Sequence, residues 1–261
     1  MTDGTTRRTG RPGSSPADAS RPVGTDGTRL FGLGASPREQ YLELQRTRPW
    51  LFRNQAGGVR VATDPAEMDR ISGELAEHYE AQGWPGAWAE VGVGYRDPYV
   101  MMLREAVVFP DGSPGIHHRL STYTDEPSGI AVLPLLQGKI VMVRHYRHPV
   151  RAWCWEIPRG ARDPGESVET AGRRELAEEI EAEVGSFVSL GRMCGSTGVV
   201  SMIVELAVAE LRSVGSPRRS EGIEQISTFS PAEVEALIEA DEVLDAFSVG
   251  CFFRARLRKL L

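Results

Sequence analysis

The sequence predicts an α/β (α+β) fold in which helices cover both faces of a mixed sheet, an α/β/α sandwich preceded by an N-terminal helical and β extension. Two observations support this prediction. Residues 129–136 and 139–146 are near-continuous apolar runs joined by Gln137-Gly138, which is typical of paired strands buried on both faces. Segments that open with capping residues at Ser167 and Ser230 follow these runs and predict helices that cover the sheet.

The first 35 residues are rich in Gly, Ser, Thr, Pro, Arg and Asp, with hardly an aliphatic residue before Val23. Such a segment cannot bury enough apolar surface to offset the entropy that is lost on ordering. Its arginines are mixed with aspartates and do not form a polybasic patch. Residues 1–35 are therefore predicted to be a disordered tail.

Residues 36–120 are predicted to form the helical and β extension. Ser36-Pro37 and Asp64-Pro65 are helix-start signals, each with a glutamate three residues after the cap, and the second helix is expected to run to about Gln82. Strands are expected over 88–94, 99–108 and 115–120, with a turn at Asp111-Gly112. Tryptophans in the loops 48–52 and 84–88 are expected in a core or interface, with a ligand role as the alternative.

Residues 121–261 are predicted to be the main domain. Beyond the two apolar strands, the segment from Trp153 to Pro158 leads into a Gly/Pro-rich loop and the helix capped by Ser167. The remaining elements are expected to be strands over 188–190, 202–209 and 224–229, a helix from Ser230 to about Ala240, and a last helix that begins near Asp245.

Composition excludes several classes of function. The chain has 261 residues and a formal net charge of −6, which argues against a general nucleic-acid binder with a basic face. No apolar run approaches the roughly 20 residues of a membrane span, so no membrane partner is expected. Three widely separated cysteines show neither metal spacing nor a disulfide framework, which favours a reducing, cytoplasmic setting.

The helix after Ser167 crowds three carboxylates on one edge. At about 100° per residue, Glu175, Glu178 and Glu179 fall within an arc of roughly 100°. Like charges at these spacings repel by a few tenths of a kcal/mol per pair, and a bound divalent cation would offset that cost. A solvated charged face is the alternative that the helix alone leaves open.

The spacing around this helix resembles the Nudix box, G-x5-E-x7-R-E-U-x-E-E-x-G-U with U apolar. The matching residues are Gly160, Glu166, Arg174, Glu175, Glu178 and Glu179. Glu181 stands where the pattern has Gly and Ala182 is a minimal apolar residue. Because that Gly ends the family's helix, Glu181 suggests a helix that runs on, to about Gly185.

The resemblance implies a hydrolase that uses Mg²⁺, for which Mn²⁺ can substitute. The expected metal-holding residues are Glu175, Glu178, Glu179 and the carbonyl of Gly160, and Glu178 and Glu179 are also the expected catalytic residues. Glu166 and Arg174 are expected to be structural, with Arg174 orienting the carboxylates without touching the metal.

The remaining site residues follow from the same resemblance. Arg144 and Arg147 are expected to bind phosphates, since guanidinium forks match phosphate oxygens; a salt bridge with a box glutamate is the alternative. Glu156 and Ser196 are further expected substrate contacts. Glu221 and Glu224 lie in a polar segment suited to a mobile loop that carries a general base. Glu224 is preferred because it lies two residues before the strand residue Ile226, although either could be a surface carboxylate.

Within the superfamily, residues 129–256 resemble the ADP-ribose pyrophosphatase branch. The supporting segments are Val143–Arg147, Trp155–Gly160 and Ser230-Pro231, together with Glu242-x-x-Asp245-Ala246. Residues 99–120 resemble the N-terminal β extension of the branch. In the branch this extension packs on a second subunit and helps to build the substrate pocket. The branch usually has Ser-Pro-Gly about sixteen residues beyond the box and a Glu shortly after. This chain has Ser196-Thr197-Gly198 and Met202, so the sugar-nucleotide class is a firmer expectation than ADP-ribose itself.

Three functions follow from the resemblance. The first is a Mg²⁺-dependent pyrophosphatase that cleaves a nucleoside diphosphate sugar, ADP-ribose-like, to a nucleoside monophosphate and a sugar phosphate, acting as a homodimer on a small-molecule nucleotide substrate. The second is a Nudix enzyme that acts on a specialised nucleotide intermediate of a biosynthetic pathway. Residues 36–90 would shape the pocket of this enzyme. The third is a non-catalytic module that binds a nucleotide and regulates a partner; the retained glutamates argue against it.

Overall fold

The computed structural model describes residues 34–97, 99–122 and 129–261. The tail predicted over residues 1–35 therefore lies, except for its last two residues, outside the described part of the chain. The described residues form two sheets with helices packed on them, which confirms the mixed α/β class. None of the described helices is long and apolar enough to cross a bilayer.

A four-stranded antiparallel sheet and two helices make up the extension. Its central strand pairs with the other three, and both helices begin where the sequence predicts, at Ser36 in a reciprocal capping box and at Asp64. The elements are α1 (Pro37–Thr47), β1 (Arg60–Val61), α2 (Pro65–Ala81), β2 (Gly92–Arg96), β3 (Met101–Val108) and β4 (Pro114–Ser121). They enclose a hydrophobic cluster that includes Tyr41, Leu44, Met68, Ile71 and Leu103.

Short 3₁₀ turns modify the predicted pattern of the extension. The strand expected over 88–94 is wrong at its start, because residues 86–89 form a 3₁₀ turn and β2 begins only at Gly92. The backbone N–H of Trp88 donates to Pro85 at 3.1 Å, which closes that turn. The turn between β3 and β4 is confirmed, with Gly112 at a φ of 87° that glycine adopts without a steric penalty.

The second sheet has seven strands in a mixed arrangement. Strand β10 runs parallel to β5 and all other neighbours are antiparallel, in the order β11-β6-β5-β10-β9, with β7 on β6 and β8 on β5. The strands are β5 (Gly129–Leu136), β6 (Lys139–Arg147), β7 (Ala152–Glu156), β8 (Arg159–Ala161), β9 (Glu183–Met193), β10 (Val204–Ser213) and β11 (Ile223–Phe229). The helices are α3 (Val168–Ile180), α4 (Pro231–Glu239) and α5 (Ala246–Leu257).

Alternate residues of β5 lie in two separate hydrophobic layers, one on each face of the sheet. Ile130 and Val132 face α3 in one cluster, whereas Leu133 and Leu135 lie with α4 and α5 in the other. A strand buried on both faces in this way explains its continuous apolar sequence. The predicted α/β/α sandwich is therefore confirmed.

Helix α3 ends at Ile180, so the predicted extension towards Gly185 is wrong. Glu181 adopts the left-handed conformation, with φ 49° and ψ 40°, at the position where glycine is the usual residue. The side chain of Glu181 accepts the backbone N–H of Ser216 at 3.0 Å, which helps to hold this strained residue in place. The chain then turns directly into β9, which starts at Glu183.

The extension is tied to the second sheet through a loop between β9 and β10. The backbone N–H of Leu120 donates to Val199 at 2.8 Å, and the N–H of Ser201 donates to Leu120 at 2.9 Å. The end of β4 therefore pairs with the loop that contains Ser196.

Candidate active site

Glu175 lies on the buried edge of α3 against β8. Ser167 caps the helix by accepting the N–H of Thr170, which fixes where the first turn begins. Two turns later the Glu175 side chain, 7 % exposed, packs against Gly160, and a Cβ at that position would overlap its carboxylate. Burial raises the pKa of Glu175 although Arg174 donates a hydrogen bond to it.

Glu179 is the most unusual group of the site. Its side chain is 4 % exposed, and its Oε2 is buried without a hydrogen-bond partner in the described part of the chain. Burial, followed by the negative charges of Glu175 and Glu221, raises its pKa to about 8 from an ordinary 4.5. A buried carboxylate oxygen that lacks a donor is the kind of group a cation satisfies.

Glu178 lies on the solvent side of the same helix. Its carboxylate is 3.6 Å from the Arg174 guanidinium and 3.4 Å from that of Arg218. The carboxylate of Glu178 therefore has a positively charged guanidinium on each side.

Arg174 connects the loop before α3 with the carboxylates on it. Its guanidinium donates to Glu166 through Nε at 3.1 Å and Nη2 at 3.0 Å, and to Glu175 through Nη1 at 2.8 Å. The same guanidinium donates to the carbonyl of Ala161 at 2.8 Å. These are the contacts that an orienting role for Arg174 needs, and that role stays a prediction.

Arg218 is a member of the site that sequence reasoning missed. Its backbone N–H donates to the carbonyl of Glu179 at 2.9 Å, and its guanidinium is 3.2 Å from Glu221 as well as 3.4 Å from Glu178. The loop after β10 thus brings Glu221 to the glutamate helix. Nothing in the local sequence of this loop indicates which helix it will reach, because the contact spans about 40 residues.

The second candidate base lies elsewhere on the sheet. Glu224 is on β11 and half-exposed, and its ion-pair partner is Arg144 of β6 at 3.9 Å. The structure thus brings Glu221, rather than Glu224, next to the carboxylates of α3. The carboxylate that pairs with Arg144 is therefore Glu224, which lies outside the Nudix-box pattern, and not one of the box glutamates.

Arg147 and Glu156 form a buried pair on neighbouring strands. Glu156 is 1 % exposed and accepts two hydrogen bonds from the Arg147 guanidinium, while Nδ1 of His145 lies 3.0 Å from it. Burial opposes ionisation of Glu156, but the His145 and Arg147 contacts outweigh burial and leave its pKa below the ordinary value. The negative charge of Glu156 in turn contributes to the raised pKa of Glu179.

Ser196 lies at the start of an exposed turn. Its carbonyl accepts the N–H groups of Val199 and Val200, at 3.4 and 2.9 Å. The same turn pairs with β4 of the extension through Leu120. Ser196 therefore lies in a turn that is hydrogen-bonded to the extension and packs on Phe247 of α5 through Gly195.

The donor set suits a hard divalent cation. Within residues 34–97, 99–122 and 129–261, no three His, Cys, Asp or Glu side chains converge on one point, since Arg174 and Arg218 pair with the carboxylates instead. The three glutamates of α3 nevertheless offer only oxygen donors, and one of these oxygens is buried and unsatisfied. Magnesium takes such ligands, one or two carboxylates at a time, with substrate phosphates completing the shell.

Comparisons with known proteins match this region. A protein-family model described as the NUDIX domain covers residues 125–247, which include the whole glutamate helix. The ADP-ribose pyrophosphatase of Bacillus subtilis (strain 168) is 32 % identical over 139 residues, which is 52 % of this chain and 75 % of that protein. The chain belongs to the Nudix family. It is a Nudix hydrolase related to ADP-ribose pyrophosphatases. Nudix hydrolases generally use a divalent metal and act on small nucleotide substrates.

Two further relatives match over shorter segments. The putative nudix hydrolase 2 of Caenorhabditis elegans is 32 % identical over 83 residues, and the match covers 30 % of this chain and 37 % of that protein. The methanol dehydrogenase activator of Bacillus methanolicus is 35 % identical over 85 residues, covering 32 % of this chain and 46 % of that protein. The chain thus spans less than half the length of these two relatives.

A solved structure shares the fold of this Nudix chain. The crystal structure of an ADP compounds hydrolase superposes with a TM-score of 0.56 at 20 % identity, and the match covers 64 % of this chain and 90 % of that one. At this identity the likeness shows the fold alone.

Proposed function

We infer that this Nudix hydrolase is a Mg²⁺-dependent pyrophosphatase that cleaves the diphosphate bond of a nucleoside diphosphate sugar, ADP-ribose-like, to a nucleoside monophosphate and a sugar phosphate. One observation carries the inference: Glu175, Glu178 and Glu179 share one edge of α3, and the buried Oε2 of Glu179 has no hydrogen-bond partner among the described residues. The identity with an ADP-ribose pyrophosphatase supports the substrate class.

Glu175, Glu178 and Glu179 would hold the metal, with the carbonyl of Gly160 as a further ligand. Bound Mg²⁺, or Mn²⁺ in its place, supplies charge neutralisation to the diphosphate and lowers the pKa of a water molecule. Arg174 would keep Glu175 aimed at the site through the 2.8 Å hydrogen bond that already joins them. Glu166 would hold Arg174 in turn.

The proton of the attacking water needs a base at the edge of the carboxylate cluster. Glu221 has the better position, because its charge acts on both Glu175 and Glu179 and its loop is anchored to α3 through the Arg218 N–H. Glu224 remains the alternative from sequence and would need to leave Arg144. An E221Q variant compared with E224Q separates the two assignments.

The substrate phosphates need positive partners beyond the metal. Arg144 is exposed enough to bind them, and among the described residues its ion-pair partner is Glu224, at 3.9 Å. Arg147 is committed to Glu156, so its contribution to the substrate would be through the shape and charge of the pocket wall. Ser196 would contact the substrate from the loop that pairs with β4.

The setting is part of the same proposal. A homodimer in the cytoplasm is expected, with residues 36–120 as the extension that packs on the second subunit. The three cysteines are free, and two of them, Cys154 and Cys251, are buried, which suits a reducing compartment.

A substrate panel tests the proposed function. The full chain is incubated with Mg²⁺ and ADP-ribose, a UDP-sugar, ATP or ADP, and the nucleoside monophosphate that forms is separated and quantified by anion-exchange chromatography, because a phosphatase would itself release phosphate from ATP and ADP. Turnover of the sugar nucleotides, ADP-ribose foremost, with little turnover of ATP and ADP is the expected result. Preferential hydrolysis of ATP, or silence across the panel, would overturn the proposal.

A further inference from the structure

The extension contains an aromatic cleft that the hydrolase site does not use. The aromatic cleft is lined by Tyr79, Trp84, Trp88, Arg104 and His118, and its volume is about 320 Å³. Small-molecule sites have volumes of roughly 300–1,000 Å³, so a small ligand fits. All five lining residues precede the Nudix domain.

Three rings form one wall of the aromatic cleft. The centroids of Tyr79 and Trp84 are 5.9 Å apart and those of Trp84 and Trp88 are 6.3 Å apart. The two indoles are 49 % and 53 % exposed, which is high for adjacent large apolar side chains. About half of the surface of each tryptophan therefore remains accessible to a planar partner.

The backbone holds these rings in place before any ligand arrives. Gly83 ends α2 at a φ of 78°, and the N–H of Trp84 returns to the carbonyl of Tyr79 at 2.9 Å. The 3₁₀ turn closed by Trp88 and Pro85 fixes the backbone that carries the second indole. A preformed wall loses little conformational entropy on binding.

Positive charge lies on the other side of the aromatic cleft. Arg104 of β3 stands directly opposite His118 of β4 in the strand register. One terminal nitrogen of Arg104 donates to the carbonyl of Ala87 at 3.1 Å, and its Nε is buried without a hydrogen-bond partner among the described residues. No carboxylate is among the lining residues, although that of Glu80 packs on Gly86 in the turn between the two indoles. The permanent charge of the lining is the guanidinium of Arg104, which attracts an anion.

We propose that the aromatic cleft is a second binding site, for a flat aromatic molecule that carries an anionic group, of the class of a nucleoside monophosphate. The base stacks on Trp84 and Trp88, and the phosphate accepts hydrogen bonds from Arg104 and His118. Only the choice of nucleotide as the probe rests on the proposed function, whose product is a nucleoside monophosphate.

Calorimetric titration of the full chain with AMP, in chelator and without divalent cation, tests the second site independently of hydrolysis. Trp84→Ala is expected to weaken the binding of AMP and of adenosine about tenfold or more, because both lose the stacking surface. Arg104→Gln is expected to weaken AMP by about tenfold and to leave adenosine unchanged, because only AMP carries the phosphate. Trp50→Phe, at an exposed tryptophan of the extension outside the aromatic cleft, is the matched control and should change neither constant.

Trp84→Phe keeps a ring and the fold, and should bind AMP within about threefold of the wild type. AMP affinities that are the same in the wild type, Trp84→Ala and Arg104→Gln would overturn the proposal, as would the lack of saturable binding. A change from dimer to monomer in Trp84→Ala with AMP affinity unaltered would make the aromatic cleft a subunit interface and also overturn it. If no substrate of the panel is hydrolysed but AMP binding behaves as expected in this titration, only the proposed hydrolysis is contradicted and the second binding site stands.

Discussion

The carboxylate of Glu175 packs directly on the backbone of Gly160, so closely that a Cβ at position 160 would overlap its Cδ and both its oxygens. The contact joins the middle of α3 to β8, the strand that precedes the loop leading into the helix. A glycine is required there because any side chain would push the carboxylate out of its position.

Gly160→Ala is therefore expected to displace the carboxylate of Glu175. Because that carboxylate is the far end of a flexible side chain, the variant should lose little unfolding free energy. Hydrolysis should fall nevertheless, since the carboxylate of Glu175 leaves the cluster. Gly73→Ala is the matched control, because a Cβ there meets open space on the surface of α2. It should leave the rate unchanged and stabilise the helix by up to about 1 kcal/mol in chemical denaturation.

The two candidate bases predict different mutant kinetics. Glu221→Gln should lower kcat by a factor of about 10²–10⁴, the usual contribution of a positioned base. Glu224→Gln should change kcat little, because this residue pairs with Arg144 on β6. Steady-state rates at saturating Mg²⁺ decide the question, and the opposite ranking would return the role to Glu224.

The Arg147–Glu156 pair predicts an asymmetry in stability. Arg147→Gln leaves a buried carboxylate without its cation and should destabilise the protein by about 3–5 kcal/mol. Glu156→Gln removes the buried charge itself and should cost less, and adding it to Arg147→Gln should recover part of the loss. Denaturant unfolding of the two single variants and the double variant measures this coupling; strictly additive losses would show that the pair does not act as a unit.

Glu179 predicts a pH dependence with a definite sign. Its folded pKa of about 8 lies above the ordinary 4.5, so the folded, metal-free protein binds more protons than the unfolded chain between these values. The free energy of unfolding should therefore fall as pH rises from about 5 to 8, and Glu179→Gln should flatten this slope. Cation affinity should change in the opposite direction, rising with pH as Glu179 loses its proton. Calorimetry at pH 6, 7 and 8 measures both, and a cation affinity independent of pH would contradict the assignment.

Local signals in the sequence predicted most of the framework. Ser36, Asp64, Ser167, Ser230 and Asp245 all cap the helices that they were expected to open, because the capping hydrogen bond lies within three residues of the cap. The apolar runs of β5 and β6 were readable for a similar reason, since burial on both faces leaves no polar position. The glutamate pattern located the helix of the candidate site.

Long-range partners were not readable in the same way. The end of α3 was missed because the hydrogen bond that supports Glu181 in a left-handed conformation comes from Ser216, 35 residues away. Arg218 and the position of Glu221 beside α3 were missed because the loop after β10 folds back on α3 through tertiary contacts. The aromatic cleft combines residues of α2, β3 and β4, so only the exposed tryptophans hinted at it.

The rate of ADP-ribose hydrolysis as a function of Mg²⁺ concentration, in the wild type and in Glu179→Gln, tests whether the glutamates of α3 hold a catalytic metal. The wild-type rate should saturate with Mg²⁺ and vanish in chelator, and Glu179→Gln should lose a factor of about 10³, since several kcal/mol of transition-state stabilisation depend on the metal. Glu169→Gln, at an exposed glutamate of the same helix that pairs with Arg173, should keep the wild-type rate. A wild-type rate that is indifferent to chelator, or a Glu179→Gln variant as active as the wild type, would contradict the account.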